Sequence, residues 1–480
     1  MTIQSLFARL RSNALNHAGT AAQESHVLSS PRGLLALPSA IQWPRPFFLL
    51  VQGVLLVLTL CMLPTWKIGI QKFLHSGTYS DVYRQWACCD YVRHGYNPFE
   101  SALAALQSTY GPVQGPDRVR LKDTRIWSVN MTQYDDSTPG IMPGTPPPEA
   151  GYAPSSLAIC LALFGYLSPS ALLPFWVVVN AVCLFGVILF LAWPAGRSSW
   201  KSILASLLFV STVFVAWPTT YMVFENGQFT FFALLTALIG LHLREKHPWL
   251  ASVFFSLALI KPALLLLFFI IPFVERNWRL FVGVAVIQVL LTLWISWLVQ
   301  TAPWVLIAQW MEICRYLLQG SFTFQEIYNA MGWENTWIQT ALTLVFFAYC
   351  LGMVIWTGKR HFAAAFCLLC YANLLWTYHE RHDFLLLLFP MLLVILHTMQ
   401  HPPSWKLALN GLAFVGLISF VGAGLSNVFY VNVQPVGHAM RWAARLGIMT
   451  TFVWTNLVLW RGALDDRTHR QTDLTARSAV

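Results

Sequence analysis

The chain has 480 residues, of which 56% are hydrophobic and only 10% charged, and its mean hydropathy is +0.56. Such values exclude an ordinary soluble globular domain, and repeated apolar runs of about 20 residues without strand-like alternation indicate an all-α polytopic membrane protein rather than a barrel. The formal charge of +10 does not indicate a nucleic-acid partner, because most Lys and Arg fall in short connections between apolar runs, where they orient helices.

Residues 1–46 are polar and carry Arg9, Arg11, Arg32 and Arg45 without the apolar core of a secretory signal, so they read as a cytoplasmic tail. Phe47 to Trp66 is the first membrane helix, its basic flank placing the N-terminus inside. A long first outer loop, 67–151, follows. It opens on Ser80-Asp81-Val82-Tyr83-Arg84-Gln85-Trp86, an amphipathic helix closed by the Gly/Pro turn Gly95-Tyr96-Asn97-Pro98, and its later part is rich in Pro and Gly. Asp81 with Arg84, one turn apart, reads either as a solvated ion pair or as a functional group at a membrane-embedded site.

Further apolar runs follow at 154–167, 171–193, 203–217, 229–243, 249–274, 280–299, 337–356, 362–377, 384–397, 408–425 and 443–460, completing a transmembrane domain over 47–461 ahead of a cytoplasmic tail, 462–480. Basic pairs at Arg197/Lys201, Arg244/Lys246, Arg276/Arg279 and Lys359/Arg360 belong in the cytoplasm. The assignment leaves Asn226-Gly227-Gln228, residues 301–335 and the cluster Tyr378-His379-Glu380-Arg381-His382-Asp383 outside. It also puts both ends of 249–274 inside, so that stretch dips to Lys261-Pro262 and returns, and it makes 154–167 a partial or interfacial helix. Arg441 and Arg445 fall on the outer side against the rule; a strictly crossing chain counts twelve helices with different parity. The nine Cys lie mostly in apolar segments and predict no disulfide framework.

Several polar residues stand out against this background. A Lys at membrane depth costs about 2.5 to 3.5 kcal/mol even on a lenient scale, so Lys261 either snorkels to broken-helix carbonyls near Pro262 or supplies a cation for an anionic group such as phosphate. Asn226-Gly227-Gln228 suits any helix hairpin, or else Gln228 hydrogen-bonds a sugar or phosphate at a helix N-terminus. His379 and His382, spaced i and i+3, flank Arg381. They read as contacts to an anionic substrate, as a solvated loop, or, with the neighbouring carboxylates, as a metal site, although an HxxH pair alone is a weak signature and no metal is assigned.

In order, these motifs resemble glycosyltransferase family 87: an Asp in a helix after the first membrane segment, then Gly-x-Asn-Pro-Phe, Tyr152-Ala153-Pro154, Gly227-Gln228, Lys261-Pro262 and a late His-containing loop. The late loop departs from the family's Ser-Trp-x-His-His, which leaves open which His corresponds. The resemblance implies a GT-C-type transmembrane bundle with juxtamembrane helices in its first outer loop, in a bacterial inner membrane, acting on the periplasmic side. It implies a polyprenyl-phosphate sugar donor, mannose-like, a glycolipid or glycan acceptor, and no cofactor. Asp81 is then the catalytic base, with His379 and His382 catalytic and Tyr83, Arg84, Asn226, Gln228, Lys261 and Arg381 binding substrate. Rival classes are a lipid-linked glycan transporter or flippase, a glycan polymerase or ligase, and a non-catalytic scaffold. A transporter favours internal repeats and a modest first loop, and the sequence has neither.

Overall fold

A computed structural model describes residues 45–76, 80–110, 151–192, 200–317, 336–357, 362–376, 381–392 and 450–457. The tails 1–44 and 462–480, and His379 within the late loop, lie outside the described residues. Among the described residues all regular structure is helical, in keeping with an all-α membrane protein.

The first helix, α1 (Arg45–Ser76), runs past its expected end at Trp66. The sequence continues with Ile68, Ile70, Phe73 and Leu74 at near-helical spacing, and Phe73 is buried in the main core. Start of the expected loop is therefore helix, and the loop holds two more: α2 (Asp81–Arg93) and α3 (Pro98–Tyr110). Helix α2 is not amphipathic as expected. It is buried continuously from Val82 to Val92, packed among other helices. It ends as the Gly/Pro turn requires: the His94 N–H bonds back to Asp90 and Tyr91, Gly95 takes φ +80°, and Pro98 opens α3.

The short α4 (Pro154–Phe164) has 11 residues. At about 1.5 Å per residue it reaches only some 16 Å, and both its ends meet the neighbourhood of α2. Before it, Tyr152 reaches Asp81; after it, the Leu167 carbonyl accepts from Trp86 Nε1 (2.9 Å) and the Gly165 carbonyl from Arg93 (3.2 Å). Its length is that of the partial helix expected from the charge pattern.

Next come α5 (Pro169–Ala192), α6 (Trp200–Ala216), α7 (Pro218–Glu225) and α8 (Thr230–Leu243). Helix α5 is long and apolar enough to span a membrane, and α6 with α7 forms a further apolar stretch bent by 68° at Trp217-Pro218. Helices α1 and α6/α7 run parallel, tied at Thr59 to the Thr212 carbonyl, Trp66 to the Val215 carbonyl and Lys72 to Glu225.

Residues 248–274 are broken as the sequence predicts. Helix α9 (Pro248–Ala258) stops short of Lys261; Pro262 opens α10 (Pro262–Leu265), a 3-10 turn follows at Leu266–Phe269, and α11 (Ile270–Val274) closes the segment. Its two ends return to one place. Arg244, just before the segment, donates through Nε and Nη2 to Glu275, just after it, both at 2.7 Å, and Asn277 caps the Arg244 carbonyl at 2.5 Å. The next helix, α12 (Trp278–Leu298), is also long and apolar enough to span a membrane, and it runs parallel to α9: Gly283 lies against Ser252, and Gln288 donates to the Ser256 carbonyl. Two parallel neighbours starting at one end require the chain between them to double back.

Helix α13 (Pro303–Leu317) was not anticipated within the polar section 301–335. It buries Leu306 and Ile313 while exposing Trp304 and Met311, and its Gln309 accepts from Asn97 at 2.9 Å. Helices α14 (Thr336–Thr357) and α15 (Phe362–Trp376) follow, then a 3-10 turn, Arg381–Leu387.

The bundle thus has two chemically different ends. Helix α8 leads from Thr230 at one to Leu243 at the other, where Lys246, Arg276 and Arg279 are exposed around the buried Arg244. Asp81 meets Gln228 at the opposite end, where α2 begins, and α3 packs against both α2 and α13.

Candidate functional site

The site is assembled by the turn between α7 and α8. Asn226 caps α7 and Gly227 adopts φ +58°. A Cβ on Gly227 would lie 2.5 Å from Phe73 Cε2, 3.0 Å from Val82 Cγ1 and 3.1 Å from Ser80 Cβ, so glycine is required by both conformation and space. This close approach brings the end of α1 and the start of α2 onto the turn. The Asp81 N–H then donates to the Asn226 carbonyl (3.0 Å), and Trp176 Nε1 donates to the Gly227 carbonyl (3.0 Å).

Ser80 caps α2, its hydroxyl accepting from the Tyr83 N–H, which puts Asp81 in the first turn, where the helix dipole favours a negative charge. The Asp81 side chain is half-buried. Its Oδ2 accepts from Gln228 Nε2 at 2.6 Å and from the Tyr152 hydroxyl at 3.4 Å, whereas Oδ1 takes no hydrogen bond from the described residues. One carboxylate oxygen is anchored, and the other accepts nothing from the described residues.

Gln228 is fully buried, and its Oε1 accepts from Lys261 Nζ at 3.1 Å. Lys261 sits at the break between α9 and α10, where the chain is free of a continuing helix. Its ammonium also donates to Thr230 Oγ1 (3.3 Å) and is ion-paired with Asp383, while Thr230 in turn donates to Asp383 (3.3 Å). The side chains of Lys261 and Asp383 keep 12% and 4% of their exposure, so the pair is desolvated on both sides. The cost of a cation at this depth is therefore offset at least in part by the Asp383 counter-charge.

Asp81, Gln228 and Lys261, separated by up to 180 positions, thus form one connected polar chain. Asn226 enters through its main-chain carbonyl; its side chain is exposed. Tyr83 and Arg84, the next residues of α2 beyond Val82, are buried at 8% and 9% exposure, with the Tyr83 ring 5.3 Å from that of Trp86. Burial, and secondarily the Asp90 carboxylate, raise the Tyr83 phenol above its usual range. Arg381 and His382 open the 3-10 turn that carries Asp383, but their side chains lie outside the described set, as does His379 altogether.

Asp383 and Thr230 were missed as site residues. Asp383 was visible only as one carboxylate in a run of polar residues, although a Lys at membrane depth needs a counter-charge, and that requirement was the signal available to find it.

The model of glycosyltransferase family 87 matches residues 152–419, more than half of the chain. The match takes in Tyr152, Gln228, Lys261 and Asp383 but begins after Asp81. Neither a curated protein nor a solved structure matches the chain. With the family match covering the break at Lys261 and the helices around it, the chain belongs to glycosyltransferase family 87 and is a membrane glycosyltransferase, moving a sugar from a donor to an acceptor.

Proposed function

We propose that this transferase moves a hexose, mannose being the first candidate, from a polyprenyl phosphate to a lipid or glycan acceptor on the periplasmic side of a bacterial inner membrane, with inversion at the anomeric carbon. The observation that carries the proposal is the half-exposed Asp81, held through one oxygen by Gln228 and Tyr152 with the other open. As the acceptor hydroxyl oxygen attacks the anomeric carbon, its proton passes to Asp81 Oδ1. The bond from that carbon to the phosphate oxygen breaks, and its electron pair leaves on the lipid phosphate. A phosphate leaves as a stable anion, so neither a general acid nor a metal is needed for the departure.

Arg84, Tyr83 and Asn226 beside the base, with His379, Arg381 and His382 from the late loop, are assigned to the donor phosphate and sugar, where positively charged donors stabilise the departing group. The orientation is supported by charge: Lys246, Arg276 and Arg279 surround the end remote from Asp81, and such basic connections favour the cytoplasm. Helices α2 and α3, packed at the site end, suit the juxtamembrane helices of a GT-C fold.

The test is transfer from labelled polyprenyl-phosphate hexoses, mannose first, into a bacterial glycolipid extract by the protein in liposomes. Asp81→Asn should reduce turnover by about 10² to 10⁴, the usual contribution of a positioned base, while leaving expression unchanged. Turnover close to the unmodified level in that variant removes Asp81 as the base and the mechanism with it.

A further inference from the structure

Building on the reading of Asp81 as the reacting carboxylate, we infer that Lys261 and Asp383 are positioning residues: they fix the orientation of the Gln228 amide and, through it, the rotamer of Asp81. The argument starts from what each group can donate. An ammonium has donors and no acceptor, so the Gln228 atom facing Lys261 must be the carbonyl oxygen, and this turns Nε2 toward Asp81. The opposite orientation of the amide would set its oxygen against the Asp81 carboxylate and its N–H groups against the ammonium, two repulsions in a site where Gln228 is fully buried.

The arrangement works only if the ammonium is held still. Lys261 lies where α9 has ended and Pro262 prevents the backbone from continuing it, so its long side chain takes its place from Asp383 and Thr230. With Asp383 as its counter-ion, Lys261 serves as an orienting donor to Gln228. Asp383 reaches the reaction through three successive contacts, Asp383 to Lys261, Lys261 to Gln228 and Gln228 to Asp81, the last at 2.6 Å.

The test is thermal unfolding of the full chain in detergent, read by tryptophan fluorescence, for Asp81→Asn and Asp383→Asn singly and together, with and without Gln228→Ala. The shifts in Tm should be non-additive when Gln228 is present and additive once it is removed. Additive shifts in both backgrounds, or coupling that survives Gln228→Ala, overturn the inference. A second arm guards against misfolding: the double variant Lys261→Met/Asp383→Leu removes both charges together, which is tolerated far better than removing one. Its kcat for labelled polyprenyl-phosphate mannose should fall by about tenfold to a hundredfold with KM within about twofold, the signature of a displaced reacting group. Retained kcat in this variant, where Asp81→Asn is inactive, overturns the positioning role and leaves the base intact. Retained turnover in Asp81→Asn removes the base instead, and the unfolding cycle still decides whether the contacts are coupled.

Discussion

Gly227→Ala probes the junction on which the site depends. The substitution adds one methyl group to a residue at φ +58°, where a side chain costs about 1 to 2 kcal/mol. The new Cβ would also lie 2.5 Å from a ring carbon of the buried Phe73, with Val82 and Ser80 at 3.0 and 3.1 Å. None of the three can withdraw freely, since Phe73 and Val82 belong to the core and Ser80 caps α2. Overpacking of this kind costs about 1 to 3 kcal/mol more, giving about 2 to 5 kcal/mol altogether. Relief of the clash moves the start of α2 away from the turn, stretching the Asp81 N–H bond to Asn226, so transfer should fall by about 10²-fold even in protein that remains folded. The assay is thermal unfolding in detergent paired with sugar transfer, and Gly352→Ala is the control: no atom lies within 4 Å of its added Cβ, and it gains about 0.5 to 1 kcal/mol from better helix propensity. If Gly227→Ala unfolds with the unmodified protein and transfers sugar at the same rate, the close approach does not position the base.

Three other outcomes follow from the same geometry. Arg244→Ala should destabilise the chain by about 2 to 3 kcal/mol, less than for a fully buried pair because Glu275 retains 18% exposure, and Arg244→Lys should recover only part of the loss because one point charge replaces two parallel bonds; thermal unfolding measures both. Cys88 and Cys89 are fully buried, and burial, with Cys160 next in effect, pushes the Cys89 thiol well above its ordinary range. Since the thiolate is the reactive form, maleimide should modify neither residue in the folded protein from about pH 7 to about pH 9, and both after denaturation, as mass spectrometry would record. Lys72→Ala removes a 2.6 Å ion pair with Glu225, but Lys72 is 63% exposed, so the melting transition should move by less than about 1 kcal/mol.

Much of this was legible from local chemistry. The helix break at Lys261 follows from Pro262, which ends one helix and opens another, and Pro98, Pro154, Pro169, Pro218, Pro248 and Pro303 open helices in the same way. Charge in short connections was enough to place 249–274 as a returning segment and 154–167 as a partial helix. Lys261 was legible as a charge out of place in an apolar run, Gln228 by its Asn-Gly-Gln turn between two apolar runs, and Asp81 by its place in a helix just after the first membrane segment. What the sequence hid was pairing over distance. Nothing local joins Asp383 to a Lys 122 positions earlier, and nothing near Tyr83 or Arg84 reveals that α2 is buried all round. The end of α1 was misjudged because Lys67 and Lys72 look like a boundary, yet both are exposed on a helix whose opposite face keeps Phe73 in the core. Helix α13 escaped because Gln309, Glu312 and Arg315 interrupt its apolar residues well short of the length that crosses a membrane.

The salt link from Arg244 to Glu275 has a bearing on how such chains are drawn. It pins entry and exit of the broken segment to one side, so the segment contributes nothing to the alternation of faces. A diagram that counted it as a crossing, while keeping 154–167 partial, would move everything after Leu298 to the other face. It would then set Gln309 and Asn97, whose amides touch at 2.9 Å, across a lipid bilayer from each other.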